Sequence, residues 1–142
     1  MPDKDTLTLL GFDFGEQRIG IAVGQTLTNS VTPLVTLKAI KQKPDWAGIE
    51  AIIKEWQPDR LIVGLPLHMD GTEQDITQRA KRFGNQLKGR YNLPVEWVDE
   101  RLTSHEAESM LQERGKNRSN KNDIDKIAAG LILQSWLEQR AT

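Results

Sequence analysis

Three acidic positions, Asp13, Glu100 and Asp125, stand where apolar segments end or begin, and these residues are the best placed to do chemistry. Asp13 closes the apolar run at 7–13, Glu100 follows the run at 95–99, and Asp125 lies in the first turn of an apolar C-terminal helix. A carboxylate beside a core is costly unless something pairs with it. The sequence offers no evident basic partner for the three, so their convergence points to a divalent cation. Oxygen donors of this kind favour magnesium or manganese over zinc. The two histidines form no His-rich metal motif. The chain has no cysteine, which removes disulfides, thiolate zinc sites and thiol catalysis.

Each acid also has a structural reading. Asp13 sits in Gly11-Phe-Asp-Phe-Gly15, ahead of Arg18-Ile-Gly-Ile-Ala-Val-Gly24. A strand that ends in Asp-x-Gly can present its carboxylate at a sheet edge, because the glycine lets the chain turn with little steric obstruction; a plain turn aspartate looks the same. At the second position there are two acids. Side-chain alternation places Val95, Trp97 and Asp99 on one face and Glu96, Val98 and Glu100 on the other, and parity does not choose between Asp99 and Glu100. Arg101 is available there as a salt-bridge partner. On the last helix, Asp125 falls between Ile132 and Trp136, with Ala129 near, so it points inward. Asp123 falls on the polar side, where an N-cap role suits it.

Basic and polar residues extend the candidate site. Arg114, Lys116, Arg118 and Lys121 cluster within eight residues, with no acid in that stretch. They form either a solvated loop or a phosphate-binding patch, and in the second case Lys116, Arg118 and Lys121 make binding salt-sensitive. Gly64-Leu-Pro-Leu-His-Met-Asp-Gly-Thr72 follows a buried strand, where open α/β sheets carry functional loops. His68 and Asp70 could touch substrate there, or form an ordinary polar turn. His105 reads as surface polar. Arg18 and Arg101 either support phosphate and the acids or form structural ion pairs.

The elements that must position these residues follow from pattern. Residues 7–14, 18–24 and 31–39 read as strands, the first two joined by a hairpin at 15–17. Pro33 makes the third strand irregular or an edge. Trp46, Ile49, Ile53 and Trp56 have helical spacing, ended by Pro58. Residues 60–65 are a short apolar run of the buried parallel type. Ile76, Ala80, Phe83 and Leu87 mark a second helix, and residues 94–98 another strand. Thr103-Ser-His-Glu106 fits a capping box before a helix carrying Ala107, Met110 and Leu111. A final helix runs from about residue 123 to 139. Strands first, then strands alternating with helices, predict an α/β fold with a mixed sheet flanked by helices.

At 142 residues the chain is expected to form a single domain, with flexible ends at 1–6 and 140–142 and a mobile loop at 114–122. With 37% hydrophobic and 27% charged residues it has the composition of a soluble globular protein. No signal-like stretch or membrane-length apolar run is present, so no membrane association and a cytoplasmic location are expected. The net charge of −1 excludes a broadly basic nucleic-acid coat but not a local patch.

Four segments occur in an order that resembles the YqgF family, the Holliday-junction-resolvase-like nucleases of the RNase H fold. They are Gly11-Phe-Asp-Phe-Gly with Arg18-Ile-Gly-Ile-Ala-Val, Val63-Gly-Leu-Pro-Leu-x-Met-Asp-Gly-Thr72, Asp99-Glu-Arg-Leu-Thr103 with Glu106-Ala, and Asp125-x-x-Ala-Ala129 before Ile132-Leu-Gln. The resemblance spans residues 7–138; His68 departs from it, where Asn is the commoner residue. It implies an RNase H-like fold with a central five-stranded mixed sheet and helices on both sides. It also implies that Asp13, Glu100 and Asp125 are the catalytic and metal-binding acids, which chooses Glu100 over Asp99.

The implied activity is endonucleolytic trimming of the small-subunit ribosomal RNA precursor, by two-metal hydrolysis in which one ion activates water and the other stabilises the departing oxygen. Structured RNA is then the expected partner, with branched DNA and ribosomal proteins as further candidates and the oligomeric state open. Holliday-junction resolution is the alternative within the nucleases. Outside them stand an actin-like ATPase, which needs two such lobes, and a weakly catalytic RNA-binding assembly or transcription factor.

Overall fold

The computed structural model describes residues 6–100 and 121–141, the side chains of 121–123 and 141 excepted. Strand β1 (Thr8–Phe14) is followed by β2 (Arg18–Gln25) and β3 (Ser30–Lys38), then helix α1 (Trp46–Trp56), β4 (Arg60–Leu65), α2 (Asp75–Tyr91), β5 (Val95–Asp99) and α3 (Lys121–Ala141). The strands form one sheet in the order β3-β2-β1-β4-β5. β1, β2 and β3 are antiparallel neighbours, whereas β4 runs parallel to β1 and β5 parallel to β4. The mixed sheet expected from the pattern is present, with the five strands that the family resemblance implies.

Alternation in the strands sorts the core into two layers. Leu10, Phe12, Ile19, Ile21, Val23 and Val63 point to the layer that receives Ile49 of α1 and Phe83 and Leu87 of α2. Its centre is aromatic: Phe83 meets Phe12 edge-on at 5.7 Å and stacks with Trp46 at 5.6 Å, geometries that add to simple area burial. The opposite face of the sheet carries Leu9, Ala22, Ile62 and Val98 against Ala129, Ile132, Leu133 and Trp136 of α3. Glu96 ties three elements on that side. It accepts from Trp136 Nε1 at 3.0 Å and from Arg60 Nη1 at 2.8 Å, joining β5, α3 and β4.

The boundaries carry their own causes. Asp45 caps α1 by accepting from the Gly48 backbone N–H at 3.0 Å, and Gln57 ends the helix in the left-handed region at φ 47°. β3 is an edge strand, and its pairing with β2 shifts register opposite Ile21 and Ala22, beside Pro33, as the proline predicts. α2 buries Thr77, Ala80, Phe83, Gly84 and Leu87. Ile76, expected on that stripe, stays outside the buried set, and Thr77 takes its place because its hydroxyl is satisfied locally. It donates to the Pro66 carbonyl and accepts from the Gln74 N–H.

Two expectations at the start of α3 change. Residues 121 and 122 are helical and not part of a loop, and Asp123 lies within the helix and is no N-cap. Thr103–Glu106 with the helix expected after it, the loop residues 114–120 and most of the N-terminal tail lie outside the described residues. No described helix is long and apolar enough to cross a membrane.

Candidate active site

The odd-numbered residues of β1 face α3: Leu9 belongs to that layer, and Gly11 lies under Leu133 and the Ala129 carbonyl. Asp13 follows on the same face at the carboxyl end of the strand. Its register partner on β2 is Gly20. The Asp125 carbonyl passes over Gly20 so closely that a Cβ there overlaps it. This approach sets α3 at Asp125 beside the strand end that carries Asp13, and the glycine permits it. An isolated glycine inside the alternating run Ile19-Gly-Ile-Ala-Val is the signal that could have revealed the contact.

Glu100 arrives from the other side of β1. Val98 points into the α3 layer, while Val95 and Trp97 pack in the opposite one. Glu100 therefore shares the α3 face, the choice that parity had left open. Its side chain lies over Gly64 at the end of β4, where a Cβ would stand 2.5 Å from Glu100 Oε1 and would also strike Ile132. The two glycines thus clear the space into which two acids fit.

Asp13 and Glu100 are in hydrogen-bond contact. Burial raises the Asp13 carboxyl well above its ordinary range, and the charge and hydrogen bond of Glu100 and the charge of Asp125 push the same way. Glu100 is also raised, chiefly by burial, with the Asp13 hydrogen bond opposing and the charge of Asp99 adding. One proton shared by the pair, carried on Asp13, fits both directions.

Asp125 is different: its Oδ2 accepts from Arg18 Nε at 2.9 Å. The expectation that the three acids lack a basic partner fails at this residue. Arg18 begins β2 across the hairpin turn from Asp13, so it reaches the start of α3, a pairing 107 residues apart in sequence. Gly15, Glu16, Gln17, Arg18 and Asp125 line a hollow of about 270 Å³ at this edge. Among the described residues no three acidic or histidine side chains close into a metal-holding cluster. The donor chemistry nevertheless fits a hard divalent ion, since the half-buried carboxyls of Asp13 and Glu100 meet and Asp125 stands near them, an all-oxygen set.

The remaining predicted residues divide. His68 is exposed, in a turn whose Asp70 accepts from the Thr72 N–H and hydroxyl at 2.9 and 2.6 Å. Those bonds make Asp70 a turn-former and hold its carboxyl below the usual range. The turn follows β4, on the edge of the sheet that carries the acids. Arg101, His105, Arg114, Lys116 and Arg118 lie outside the described residues, and of Lys121 only the helical backbone is described.

A five-stranded sheet of this order, with helices on both faces and acids at the ends of β1 and β5, defines an RNase H-like fold. Among solved structures it superposes on Thermus thermophilus RuvC with a TM-score of 0.57 at 13% identity, covering 94% of this chain and 96% of that one. The Fowlpox virus resolvase in complex with Holliday junction DNA gives 0.57 at 12%, covering 95% and 99%. The family described as "RuvX: Holliday junction resolvase" matches residues 7–139, and the chain belongs to it. A relative from Actinobacillus pleuropneumoniae serotype 7 is 56% identical over 132 residues, spanning 92% of this chain and 96% of its own. Another from Nitrosococcus oceani is 52% identical over 141 residues, spanning 99% and 92%. Both carry the name "Putative pre-16S rRNA nuclease".

Proposed function

We propose that this chain is a divalent-metal-dependent endonuclease that hydrolyses phosphodiester bonds in the precursor of the small-subunit ribosomal RNA, acting near its 5′ end in the cytoplasm. The observation that carries this reading is geometric: the Asp125 backbone lies on Gly20, the register partner of Asp13, and the Glu100 side chain lies over Gly64, so that the three acids meet at one edge of an RNase H-like sheet. The names of relatives at 52–56% identity along almost the whole chain supply the substrate.

Asp13, Glu100 and Asp125 would hold two ions, one of which would lower the pKa of an attacking water while the other would offset charge on the departing oxygen. The chain's own contribution is preorganisation. Gly20 and Gly64 let α3 and Glu100 approach so closely that the carboxyl groups are desolvated before substrate arrives. Without an ion, burial and the neighbouring Glu100 raise the Asp13 carboxyl and so favour its protonated form, which relieves repulsion between the two acids. Arg18 neutralises Asp125, and once parted from it the guanidinium is placed to take a phosphate oxygen, with its planar fork suited to that task. Arg101, Lys116, Arg118 and Lys121 are proposed to position the RNA backbone, and His68 stands at the same edge as a further substrate contact.

A second reading is Holliday-junction resolution, favoured by the description of the family itself. Cleavage of the precursor RNA and of a synthetic four-way DNA junction by wild type and Asp125→Asn, with manganese and with chelator, separates the two. Manganese-dependent RNA cuts, reduced at least about 100-fold in the variant, are expected. Cuts in the junction alone would put the resolvase first, and RNA binding without any cut would leave a non-catalytic assembly factor.

A further inference from the structure

Three hollows, linked by shared lining residues, form a track that begins at Asp125 and runs round the β1–β2 turn to the outer face of α2. The first is the hollow beside Arg18 and Asp125. The second, of about 640 Å³, shares Glu16 and Gln17 with it and continues between the turn at 40–43 and α2. The third, of about 480 Å³, shares Arg82 and Gln86 with the second and lies along α2. The track therefore leaves the catalytic face of the sheet and ends on the opposite one.

Its lining suits a nucleic-acid strand. Arg79 and Arg82 stand in the middle hollow with three amide side chains, Gln17, Gln42 and Gln86. Phe14, partly exposed, is the aromatic group of the floor, supported from the core by the buried Phe83 at 5.1 Å between ring centres. Cations for phosphates, amides for sugar and base edges, and an aromatic surface for stacking are the features by which single strands are held. Lys81 extends the basic line into the third hollow, held there by Glu73 at 2.7 Å. Glu16 is the acid in the middle hollow and engages Arg79 at 2.6 Å, whereas Arg82 makes no ion pair among the described residues.

The rim carries a second, independent sign. Ile40 and Lys43 bridge in a two-residue hairpin turn whose central residues, Lys41 and Gln42, both adopt positive φ, 52° and 67°. Such turns favour Asn-Gly. A lysine and a glutamine kept there, with Gln42 on the groove, mark strain held at a place of use.

We infer that this track binds a single-stranded RNA segment extending from the cleavage site, with Arg82 as its central phosphate contact. The inference rests on the RNA-nuclease reading and deepens it, by specifying a substrate with an unpaired extension beside the cut. The exposed pair Glu16–Arg79 contributes little to stability, so Glu16 acts there mainly to moderate affinity. Removing its charge frees Arg79 for phosphate.

The experiment is fluorescence-anisotropy binding, in chelator, of the full chain to a labelled RNA hairpin with and without a single-stranded tail of about ten nucleotides, over a range of salt. Wild type should bind the tailed RNA more tightly. Arg82→Gln should weaken the tailed complex about 3- to 10-fold, lower its salt slope by about one, and leave the blunt hairpin unchanged. Glu16→Gln should strengthen the tailed complex. Both side chains are exposed, and an unchanged melting temperature checks that each variant folds. Equal effects on both RNAs, or none on the tailed one, would overturn the track while leaving the nuclease reading intact. Wild type that binds neither RNA would remove the nuclease reading and the track with it.

Discussion

As the proposed metal-holding acid, Asp13 would serve function at a cost to stability. A carboxyl with a raised pKa in the folded state binds its proton more tightly there than in the unfolded chain. Stability is then greatest below the unfolded value near 3.8, and falls as pH rises through the raised folded value, because ionisation must occur in a buried site beside Glu100. Asp13→Asn keeps the shape and removes the ionisation. In chelator at neutral pH the variant should be more stable than wild type by roughly 1 kcal/mol or more, since one pKa unit corresponds to about 1.4 kcal/mol, and the advantage should vanish toward pH 4. Added magnesium or manganese should raise the melting temperature of wild type but not of the variant. Denaturant melts at several pH values, with and without the ion, check both halves; equal stability of the two proteins at neutral pH would contradict the shared-proton site.

At the scale of elements, the site depends on how closely α3 lies on the sheet. Gly11, Gly20, Gly24 and Gly64 all stand under this helix or its neighbours, and the tightest approach is that of the Asp125 carbonyl to Gly20. Gly20→Ala forces α3 at Asp125 outward, away from the register partner of Asp13. The expected cost is about 1–3 kcal/mol, the usual range for overpacking, with a loss of cleavage larger than the loss of folded protein, because Asp125 and Arg18 move with the backbone. Thermal melts and single-turnover cleavage on the same preparation measure the two effects. Gly89→Ala on α2 is the control, since a Cβ there meets nothing within 4 Å, and it should stabilise slightly if at all.

For the whole molecule, the proposed site is a single set of acids among the described residues, and one such set would suffice for a single RNA cut. The β3 edge of the sheet is poorly suited to continuing into a second copy: its pairing is irregular beside Pro33, and Ser30, Thr32 and Pro33 are exposed. If the RNA reading holds, specific activity on the precursor should stay constant on dilution through the range in which any dimer dissociates, as followed by sedimentation alongside cleavage. A resolvase acting on paired strands should instead lose specific activity as the dimer dissociates. The net charge of −1 adds a second whole-molecule consequence. Binding must come from local cations, so only variants on a basic track or loop should change its salt dependence.

The sequence by itself determined the layered fold to within a residue or two at most of the described elements. Alternation in 8–25, helical spacing in 46–56 and the apolar run at 60–65 are local periodicities, set by which faces must be buried. It also brought Asp13, Glu100 and Asp125 forward as candidates, because acids at the ends of apolar runs are unusual wherever they lie. Tertiary structure alone decided which acids meet. The face of Glu100 follows from where Val98 packs, and the Arg18–Asp125 pair joins residues 107 apart. Such contacts leave no periodic trace in the chain, since they depend on sheet order and on the closeness that Gly20 and Gly64 permit. The proposed track along α2 was hidden for the same reason: Arg79, Arg82 and Gln86 carry no pattern of their own on the helix, and only the fold lays them beside Gln17 and Gln42 of the turns.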